Sequence, residues 1–455
     1  MAAPTRAETL GITDLSPEER ASLRYLNYLT APILIDAQTA VNDGTLVKKN
    51  DSIIFRPQGL IRERLQKPEI FIPLSKQYSF VPSTILGLNE ALVRAEEGTP
   101  LRDQFEAELN NYNQQLARDQ DLAPMGYGVW AYYPRYGDLV QFTPRHIHRL
   151  ALVASNSTLF LDKEKRASWD QVQQIFRNTT PAIVGLSVGA SIGFGISMVL
   201  RPDSMIVADP ALYKLTNINR VPGLNYRHML LSHAEKAKHQ DILGLRNKAM
   251  VFSELTHEID PFMNIYAYDV VNEANLSAFL GGNRIQRRAT IIIEVCDSPD
   301  VKLHVAEEAR KKGIRLIRFT DAGSTVRVDV RPFDIEPSIP LTYNADDQIL
   351  YNLCKESESS KAAFFKFAAA LVGPDHLERN DEFGMLVNGS LPRTVSSVPQ
   401  LGSTVMAAGG WAGELVARML LGHEFPERFI LDLQHLTIEI SGKWFPGLNQ
   451  NLFNR

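Results

Sequence analysis

A glycine-rich hexapeptide, Gly185 to Ala190 (GLSVGA), follows a short apolar run that ends at Val184. It is a degenerate form of Gly-x-Gly-x-x-Gly, with Ser187 at the second glycine position and Ala190 at the third. Such a turn between a strand and a helix directs backbone N–H groups and the helix N-terminus at phosphate oxygens. Asp209 lies 24 residues after Gly185, where an acid commonly holds ribose hydroxyls. The pattern predicts a nucleotide site; the simpler interpretation is a tight strand–helix turn that binds no ligand.

Several polar motifs follow the glycine turn in order. They are Thr216 to Arg220 (TNINR), Ala234 to Ala237 (AEKA) and Glu294 to Ser298 (EVCDS). Later, Pro399 to Thr404 (PQLGST) leads into a glycine-rich helical segment that ends with Ala417 to Gly422 (ARMLLG). Together these motifs resemble the ThiF/MoeB-like adenylyltransferases, the superfamily of the ubiquitin-activating enzymes, over roughly residues 170–425. Each motif alone is a weak signal, and their joint occurrence in this order is a specific one.

The resemblance implies that the chain transfers AMP from ATP to a carboxylate, with pyrophosphate as the leaving group. This chemistry depends on positioning and charge neutralisation rather than on a protein nucleophile. The implied nucleotide-binding residues are Gly185, Ser187, Gly189, Asp209, Asn217, Arg220 and Lys236. Asp209 would hold the ribose, whereas Asn217, Arg220 and Lys236 would hold the phosphates. Asp297 would coordinate Mg²⁺, a hard cation suited to carboxylate and phosphate oxygens. Arg220, Lys236 and Asp297 are the implied catalytic residues.

The same residues also have simpler interpretations. Arg220 and Lys236 could be solvated surface cations, and Asp297 could be the N-cap of a helix that begins near Pro299. Four positions depart from the family pattern: Ala211 and Val221 replace an aspartate and a glutamine, Ser298 replaces an asparagine, and Ser187 replaces a glycine. Two other functions therefore stay open, namely a catalytically degenerate nucleotide-binding scaffold and an NAD(P)-dependent oxidoreductase.

The chain has only two cysteines, Cys296 and Cys354. Many relatives carry two Cys-x-x-Cys pairs for structural zinc, and this chain cannot form them, so we expect no zinc. Cys296 adjoins Asp297 at a strand end, and we expect it to be a small buried residue. Cys354 lies in the region where some relatives place a thioester cysteine. Because only Lys355 adjoins it as an activating cation, we expect that no thioester on Cys354 is required.

The elements that position these residues are short apolar runs alternating with helical patterns from about Trp169 onward. The runs occupy 182–184, 205–208, 264–268, 290–295 and 315–319. This alternation indicates an α/β fold with a Rossmann-like, doubly wound, mostly parallel sheet. The uncharged stretch from Pro181 to Leu200 is predicted to be a strand, a glycine turn and a buried helix rather than a membrane span. We place a domain boundary near residue 165, so that 1–165 form a smaller α+β accessory domain for substrate or partner recognition and 166–455 form the adenylation domain.

The composition limits the class of partner. Among 455 residues, 48 are basic and 52 acidic, which gives a formal net charge of −4. This balance indicates neither nucleic acid nor an anionic membrane as the main partner. The two cysteines favour a reducing compartment, and hence a cytoplasmic location. The resemblance implies ATP and Mg²⁺ as cofactors, a homodimer, and as substrate a carboxylate-bearing peptide or small protein, or a small-molecule acid.

Overall fold

The computed structural model describes residues 31–94, 103, 106–107, 109–114, 125–154, 169–231, 245–283, 286–357, 361–373 and 400–448. The described chain divides into two units. The first contains the described residues from 31 to 173 together with His257–Phe262, and the second contains the remainder. The domain boundary predicted near residue 165 falls outside the described residues. Among the helices described here, none is both long and apolar enough to cross a membrane.

The first unit is built on two small sheets. Its strands are β1 (Ile33–Asp36), β2 (Leu46–Lys49), β3 (Ser52–Phe55), β4 (Ile70–Pro73), β5 (Gln77–Ser79), β6 (Val129–Tyr133) and β7 (Asp138–Phe142). They pair in the orders β1-β6-β7-β5 and β2-β3-β4. The helices α1 (Ala37–Asn42), α2 (Gly59–Leu65), α3 (Val81–Arg94) and α4 (Arg145–Ala154) accompany them, and α5 (Trp169–Asn178) follows in the chain. Trp130 and Tyr132 are each 5% exposed, so these aromatic residues belong to the core beside the β6–β7 hairpin.

The second unit contains one sheet of eight strands. These are β8 (Pro181–Val184), β9 (Ser204–Ala208), β10 (Asn264–Tyr268), β11 (Ile291–Glu294), β12 (Arg315–Ala322), β13 (Thr325–Arg331), β14 (Phe425–Asp432) and β15 (Thr437–Phe445). Their order is β10-β9-β8-β11-β12-β13-β14-β15. The first five pair in parallel, and β12 to β15 pair antiparallel. The predicted α/β class with a mostly parallel sheet is confirmed.

Helices flank this sheet. They are α6 (Val188–Leu200), α7 (Tyr226–Met229), α8 (Lys248–Ile259), α9 (Glu273–Gly281), α10 (Pro299–Lys312), α11 (Asp347–Ser357), α12 (Lys361–Val372) and α13 (Gly402–Leu420). Residues of α9 to α12 share a buried cluster with Ala182, Ile206 and Ile292 on one face of the sheet. On the other face, α6 packs against Ile183. The sheet is therefore doubly wound. The strand order grows from β8 toward β9 and β10 on one side, and from β11 toward β12 on the other. Such folds bind ligands between the two central strands, outside the carboxyl ends of the strands.

Small residues allow α6 and α13 to touch through their backbones. A Cβ on Gly195 would overlap the carbonyl of Gly409, and a Cβ on Gly413 would lie 2.7 Å from the Gly195 oxygen. The uncharged stretch from Pro181 to Leu200 is thus β8, a turn and the buried helix α6, as predicted. This contact fixes the start of α6, which is the part of the helix nearest the candidate site.

Candidate functional site

The glycine turn joins the carboxyl end of β8 to α6, beside the neighbouring strand β11. Gly185 has φ +93°, and an added Cβ would lie 2.8 Å from the Cys296 nitrogen and the Val295 oxygen. A side chain there would be strained and would collide with the segment after β11. Gly189 serves packing, because its Cβ would lie 3.0 Å from the Val295 side chain. The two glycines therefore place the turn, and Ser187 is left at the position that faces a ligand in related turns.

Asp209 holds the glycine turn from the end of β9. Its Oδ2 accepts a hydrogen bond from the Leu186 nitrogen at 2.6 Å, and its Oδ1 accepts one from the Ala211 nitrogen at 2.8 Å. Lys248 Nζ lies 3.6 Å from the same carboxylate, which is only 7% exposed. The Tyr213 hydroxyl donates to the Leu186 oxygen on the other side of the turn. Asp209 thus fixes the shape of the turn through both of its carboxylate oxygens.

The structure brings three of the predicted residues together at the N-terminus of α6. Ser187 is the N-cap of this helix and makes no side-chain cap bond. Its Oγ accepts a hydrogen bond from Arg220 Nε at 3.0 Å and one from Asn217 Nδ2 at 3.5 Å. Asn217 is buried, whereas Arg220 is partly exposed. The predicted assembly of Ser187, Asn217 and Arg220 beside a helix N-terminus provides a cation, amide and hydroxyl donors and a positive helix end for a phosphate group.

The loop that carries Arg220 is fixed from two directions. Ser191 of α6 donates from its Oγ to the Arg220 oxygen at 2.5 Å. A Cβ on Gly402, the first residue of α13, would overlap the Asn219 oxygen. Thr404, also on α13, donates to the Gly323 oxygen at 2.9 Å. The start of α13, the Arg220 loop and the turn between β12 and β13 therefore meet beside the glycine turn.

Asp297 lies in the segment between β11 and α10 and is exposed. The N-cap of α10 is Ser298, with Pro299 at the first helical position, so the interpretation of Asp297 as the cap itself was wrong by one residue. Burial lowers the pKa of Arg220, and the nearby carboxylates of Asp321 and Asp297 oppose that change. Both carboxylates therefore lie within electrostatic reach of the guanidinium.

Asp321 is a member of the site that the sequence analysis missed. It lies at the end of β12, is 8% exposed, and neither of its carboxylate oxygens has a hydrogen-bond partner among the described residues. Burial raises its pKa to about 8, although Arg220 acts in the opposite direction. The available signal was its position just after the apolar run at 315–319, which parallels that of Asp209 after β9. Recognising it requires the pairing of β11 with β12, and no local pattern gives that pairing.

Of the two lysines considered for this site, Lys236 and Lys248, the structure describes only Lys248. Lys236, predicted to hold phosphate, lies outside the described residues, as do its neighbours from 232 to 244. Lys248 begins α8 and is the cation that approaches Asp209. No motif in the sequence identified Lys248, because its role depends on the return of α8 to the carboxyl end of β9.

A buried ion-pair group supports the end of β11. Glu294 Oε2 accepts from Arg318 Nε at 2.6 Å, and Glu294 Oε1 accepts from Lys302 Nζ at 2.7 Å. Burial alone would raise the pKa of Glu294, but Lys302 and Arg318 outweigh it and lower the pKa to about 2. The same carboxylate accepts from the Cys296 nitrogen at 3.0 Å. Glu294 therefore shapes the segment that leads to Asp297.

Both cysteines are partly exposed, and neither forms a disulfide. Burial and the neighbouring Glu294 raise the pKa of the Cys296 thiol, whose Sγ lies 3.3 Å from Glu294 Oε1. Cys354 lies on α11 and packs against the core cluster below the sheet. The described residues include no group of three or more histidine, cysteine, aspartate or glutamate side chains arranged to hold a metal ion.

A cavity of about 400 Å³ opens between the beginnings of α9 and α10. Its walls come from Val271 to Leu276 on one side and from Asp300, Val301 and His304 on the other. Val271 follows the carboxyl end of β10, and Asp300 lies three residues after Asp297. The cavity therefore lies at the same edge of the sheet as the glycine turn and has several apolar walls.

No family model matches the chain. An uncharacterized protein of Mycobacterium tuberculosis is 27% identical over 255 residues, which are 55% of this chain and 30% of that protein. The chain thus matches about a third of the length of this curated relative.

Solved structures similar to the chain include E. coli MccB with ATP, at 11% identity, a TM-score of 0.39, and coverage of 87% of this chain and 96% of that one. E. coli tRNA N6-threonylcarbamoyladenosine dehydratase, TcdA, with AMP is 15% identical, with a TM-score of 0.35 and coverage of 59% and 92%. PaaA is 12% identical, with a TM-score of 0.39 and coverage of 64% and 80%. These three solved proteins are ThiF/MoeB-family adenylyltransferases, the family that the sequence motifs resemble.

Proposed function

We propose that this chain is an ATP-dependent enzyme of the ThiF/MoeB-like type that adenylates a carboxylate. The observation that carries the proposal is the convergence of Ser187, Asn217 and Arg220 at the N-terminus of α6. The carboxylates of Asp297 and Asp321 act on the same guanidinium. The site would thus combine a helix N-terminus for phosphate with carboxylates suited to a cation. It lies at the topological switch point of a doubly wound sheet, between β8 and β11.

The triphosphate fits the start of α6. The backbone N–H groups of the first helical turn receive no side-chain cap from Ser187, so they are available to phosphate oxygens. Arg220 supplies a fixed positive charge, and Asn217 and Ser187 supply neutral donors. Lys236 is proposed as a second cation at the phosphates. Asp209 is proposed to accept from the ribose hydroxyls while it holds the turn.

The nucleobase fits the cavity between α9 and α10. Val271, Leu276 and Val301 give it apolar walls, and its volume of about 400 Å³ is large enough for a purine ring. Because Asp300 and Val301 belong to the first turn of the helix that follows Asp297, base and phosphates would bind along one edge of the sheet. A nucleotide would then span the ends of β10, β9, β8 and β11.

The residues present also fit a divalent cation. Asp297 presents an exposed carboxylate beside the turn, and Asp321 is a buried carboxylate without a partner among the described residues. Hard cations such as Mg²⁺ take oxygen ligands of this kind together with phosphate oxygens. Bound there, Mg²⁺ would neutralise negative charge on the phosphates.

In the proposed step, a substrate carboxylate oxygen attacks the α-phosphorus of ATP. A bond forms between that oxygen and phosphorus, the bond from phosphorus to the bridging oxygen breaks, and pyrophosphate leaves with the bond's electron pair. Arg220 and Lys236 stabilise the negative charge that builds on the phosphate oxygens, and Asn217 orients them. No proton transfer is needed, because the attacking group is already ionised at neutral pH. The product is an acyl-adenylate ready for attack by a nucleophile.

The substrate is proposed to be the carboxylate of a peptide or small protein, or of a small-molecule acid. Residues 1–165 are proposed as the accessory domain that recognises substrate or partner, beside an adenylation domain formed by 166–455. We also propose a homodimer and a cytoplasmic location. A scaffold that binds nucleotide without catalysis is one alternative, supported by Ala211, Val221 and Ser187 at positions where the resembled family has other residues.

The test is incorporation of labelled pyrophosphate into ATP, driven by a panel of carboxylic acids and of C-terminal peptides. We expect exchange with one acid class, and its loss in Arg220→Ala and in Asp297→Ala. The matched controls are Arg227→Ala, an exposed arginine on α7, and Glu424→Gln, an exposed carboxylate just before β14. Nucleotide binding without exchange for every acid would favour the scaffold, and preferential binding of NAD(P) would favour the oxidoreductase. Exchange that survives both alanine variants would overturn the site.

A further inference from the structure

Asp321 is a buried carboxylate that nothing in the described fold explains. It is 8% exposed, and its two oxygens accept no hydrogen bond from any described residue. The polar groups around it are engaged elsewhere, since Arg220 donates to Ser187 and Thr404 donates to the Gly323 oxygen. A buried carboxylate without a hydrogen-bond partner is costly. Its retention points to a partner that arrives with a ligand.

The pairing of β11 with β12 brings the segment that carries Asp297 out of the sheet beside the end of β12, which carries Asp321. In this parallel pair Ile291 lies beside Arg315, and Glu294 beside Arg318. Asp297 and Asp321 each follow the last pair, Glu294 and Arg318, by three residues. The sheet path continues at least one residue beyond β11, because the Val295 nitrogen still donates to the Val184 oxygen at 2.9 Å. Neighbouring strands are about 4.8 Å apart, which is close enough for two carboxylates to share one cation.

Asp321 lies on the face of the sheet that carries α6. Side chains alternate along a strand, so Asp321 projects on the same side as Ile317. Ile317 pairs with Ile293, and Ile293 pairs with Ile183, which packs under α6. The face is therefore the one that carries the start of α6. Arg220, which is held at that start, is influenced by both Asp321 and Asp297.

We propose that Asp321 is a second carboxylate ligand, with Asp297, for the divalent cation of this site. The cation would be of the Mg²⁺ or Mn²⁺ type, because both ligands are carboxylate oxygens. It would supply the buried carboxylate with its missing partner. This inference rests on the proposed nucleotide site for its purpose, but its test uses the metal alone.

The test measures Mn²⁺ binding to the full chain without nucleotide, by calorimetry and by the electron paramagnetic resonance signal of free Mn²⁺. We expect Asp321→Asn and Asp297→Asn each to weaken Mn²⁺ binding by about tenfold or more, as the loss of one of two protein ligands should. Glu424→Gln, which removes an exposed carboxylate just before β14, should bind Mn²⁺ as the unaltered chain does. Unchanged affinity in Asp321→Asn, or an unaltered chain that binds no Mn²⁺, overturns the proposal.

Folding is checked by thermal unfolding of the same proteins with and without Mn²⁺. Asp321→Asn should unfold at the same or a higher temperature without metal, because it removes a buried unpaired carboxylate. Mn²⁺ should raise the unfolding temperature of the unaltered chain and not that of the variant. If Asp321→Asn does not fold, Asp321→Ser takes its place in both measurements. If the chain catalyses ATP–pyrophosphate exchange but the Asp321 variant binds Mn²⁺ as tightly as the unaltered chain, this inference alone is overturned. If the chain binds no nucleotide, the proposed function is overturned.

Discussion

Arg220 Nε donates a hydrogen bond to Ser187 Oγ over 3.0 Å, and so joins the loop after β9 to the N-cap of α6. The serine stands where related glycine turns have a second glycine. Here its hydroxyl orients the guanidinium beside the helix N-terminus. The departure from the glycine pattern therefore has a structural use, namely the placement of a cation at the proposed phosphate site.

This bond gives a graded prediction for catalysis. Arg220→Ala should reduce ATP–pyrophosphate exchange by about 100-fold or more, as loss of a charge-stabilising donor does in other enzymes. Arg220→Lys keeps the charge but loses the Nε donor, and Ser187→Ala keeps the arginine but loses its acceptor. Both should show a smaller reduction, on the order of tenfold. Equal rates in all three variants would contradict the orienting role of Ser187.

The contact between α6 and α13 gives a prediction for stability. A Cβ on Gly409 would lie 2.6 Å from the Ser191 oxygen, whereas a Cβ on the adjacent Gly410 would meet nothing within 4 Å. Gly409→Ala should therefore destabilise the fold by about 1–3 kcal/mol through overpacking. Gly410→Ala, the matched control on the same helix, should be neutral or more stable by up to about 1 kcal/mol. Urea unfolding of the two variants checks this, and an equal effect would show that the helices can separate without cost.

The pH dependence of stability should carry the signature of Glu294. Its pKa in the folded chain is about 2, against an ordinary value of 4.5, because Lys302 and Arg318 outweigh the effect of burial. A lowered pKa contributes stability that is present above pH 4.5 and is lost as the pH falls toward 2. The full contribution is about 3 kcal/mol.

Glu294→Gln should remove this part of the acid sensitivity. Denaturant unfolding between pH 6 and pH 2 should show a shallower loss of stability in the variant than in the unaltered chain. Glu427→Gln, in which Arg331 loses a carboxylate partner at 2.9 Å, is the comparison for the removal of one buried arginine's ion pair. A variant that matches the unaltered chain at every pH would show that Glu294 does not stay ionised in the folded state.

The sequence predicted the parts of the fold that depend on local patterns. The apolar run 205–208 lies in strand β9, which is buried along its whole length, and the run 264–268 is the edge strand β10. The glycine turn was also local, since Gly185 needs its positive φ wherever the chain goes next. Asp209, Asn217 and Arg220 could be named as candidates because they follow such patterns at fixed distances.

What the sequence did not predict depends on long-range pairing. Asp321 joins the site only through the register of β11 with β12, and Lys248 joins it only because α8 returns to the end of β9. Strand β12 of the eight-stranded sheet also carries buried arginines. Arg315 pairs with Asp334, and Arg318 pairs with Glu294. Charged residues are usually exposed, so their burial could not be inferred before their partners were known.

The two cysteines provide a prediction about the path of the reaction after adenylation. Cys354 packs against the core cluster, and Cys296 shares its carboxylate neighbour with Lys302 and Arg318. Burial and Glu294 raise the pKa of the Cys296 thiol, which makes it a poor nucleophile at neutral pH. We expect Cys354→Ala and Cys296→Ala to retain both ATP–pyrophosphate exchange and formation of the final product. Iodoacetamide should label Cys296 far more slowly in the folded chain than in urea, as measured by mass spectrometry. Loss of product in Cys354→Ala with intact exchange would instead identify Cys354 as a thioester carrier, because the adenylate would still form but could not be passed on.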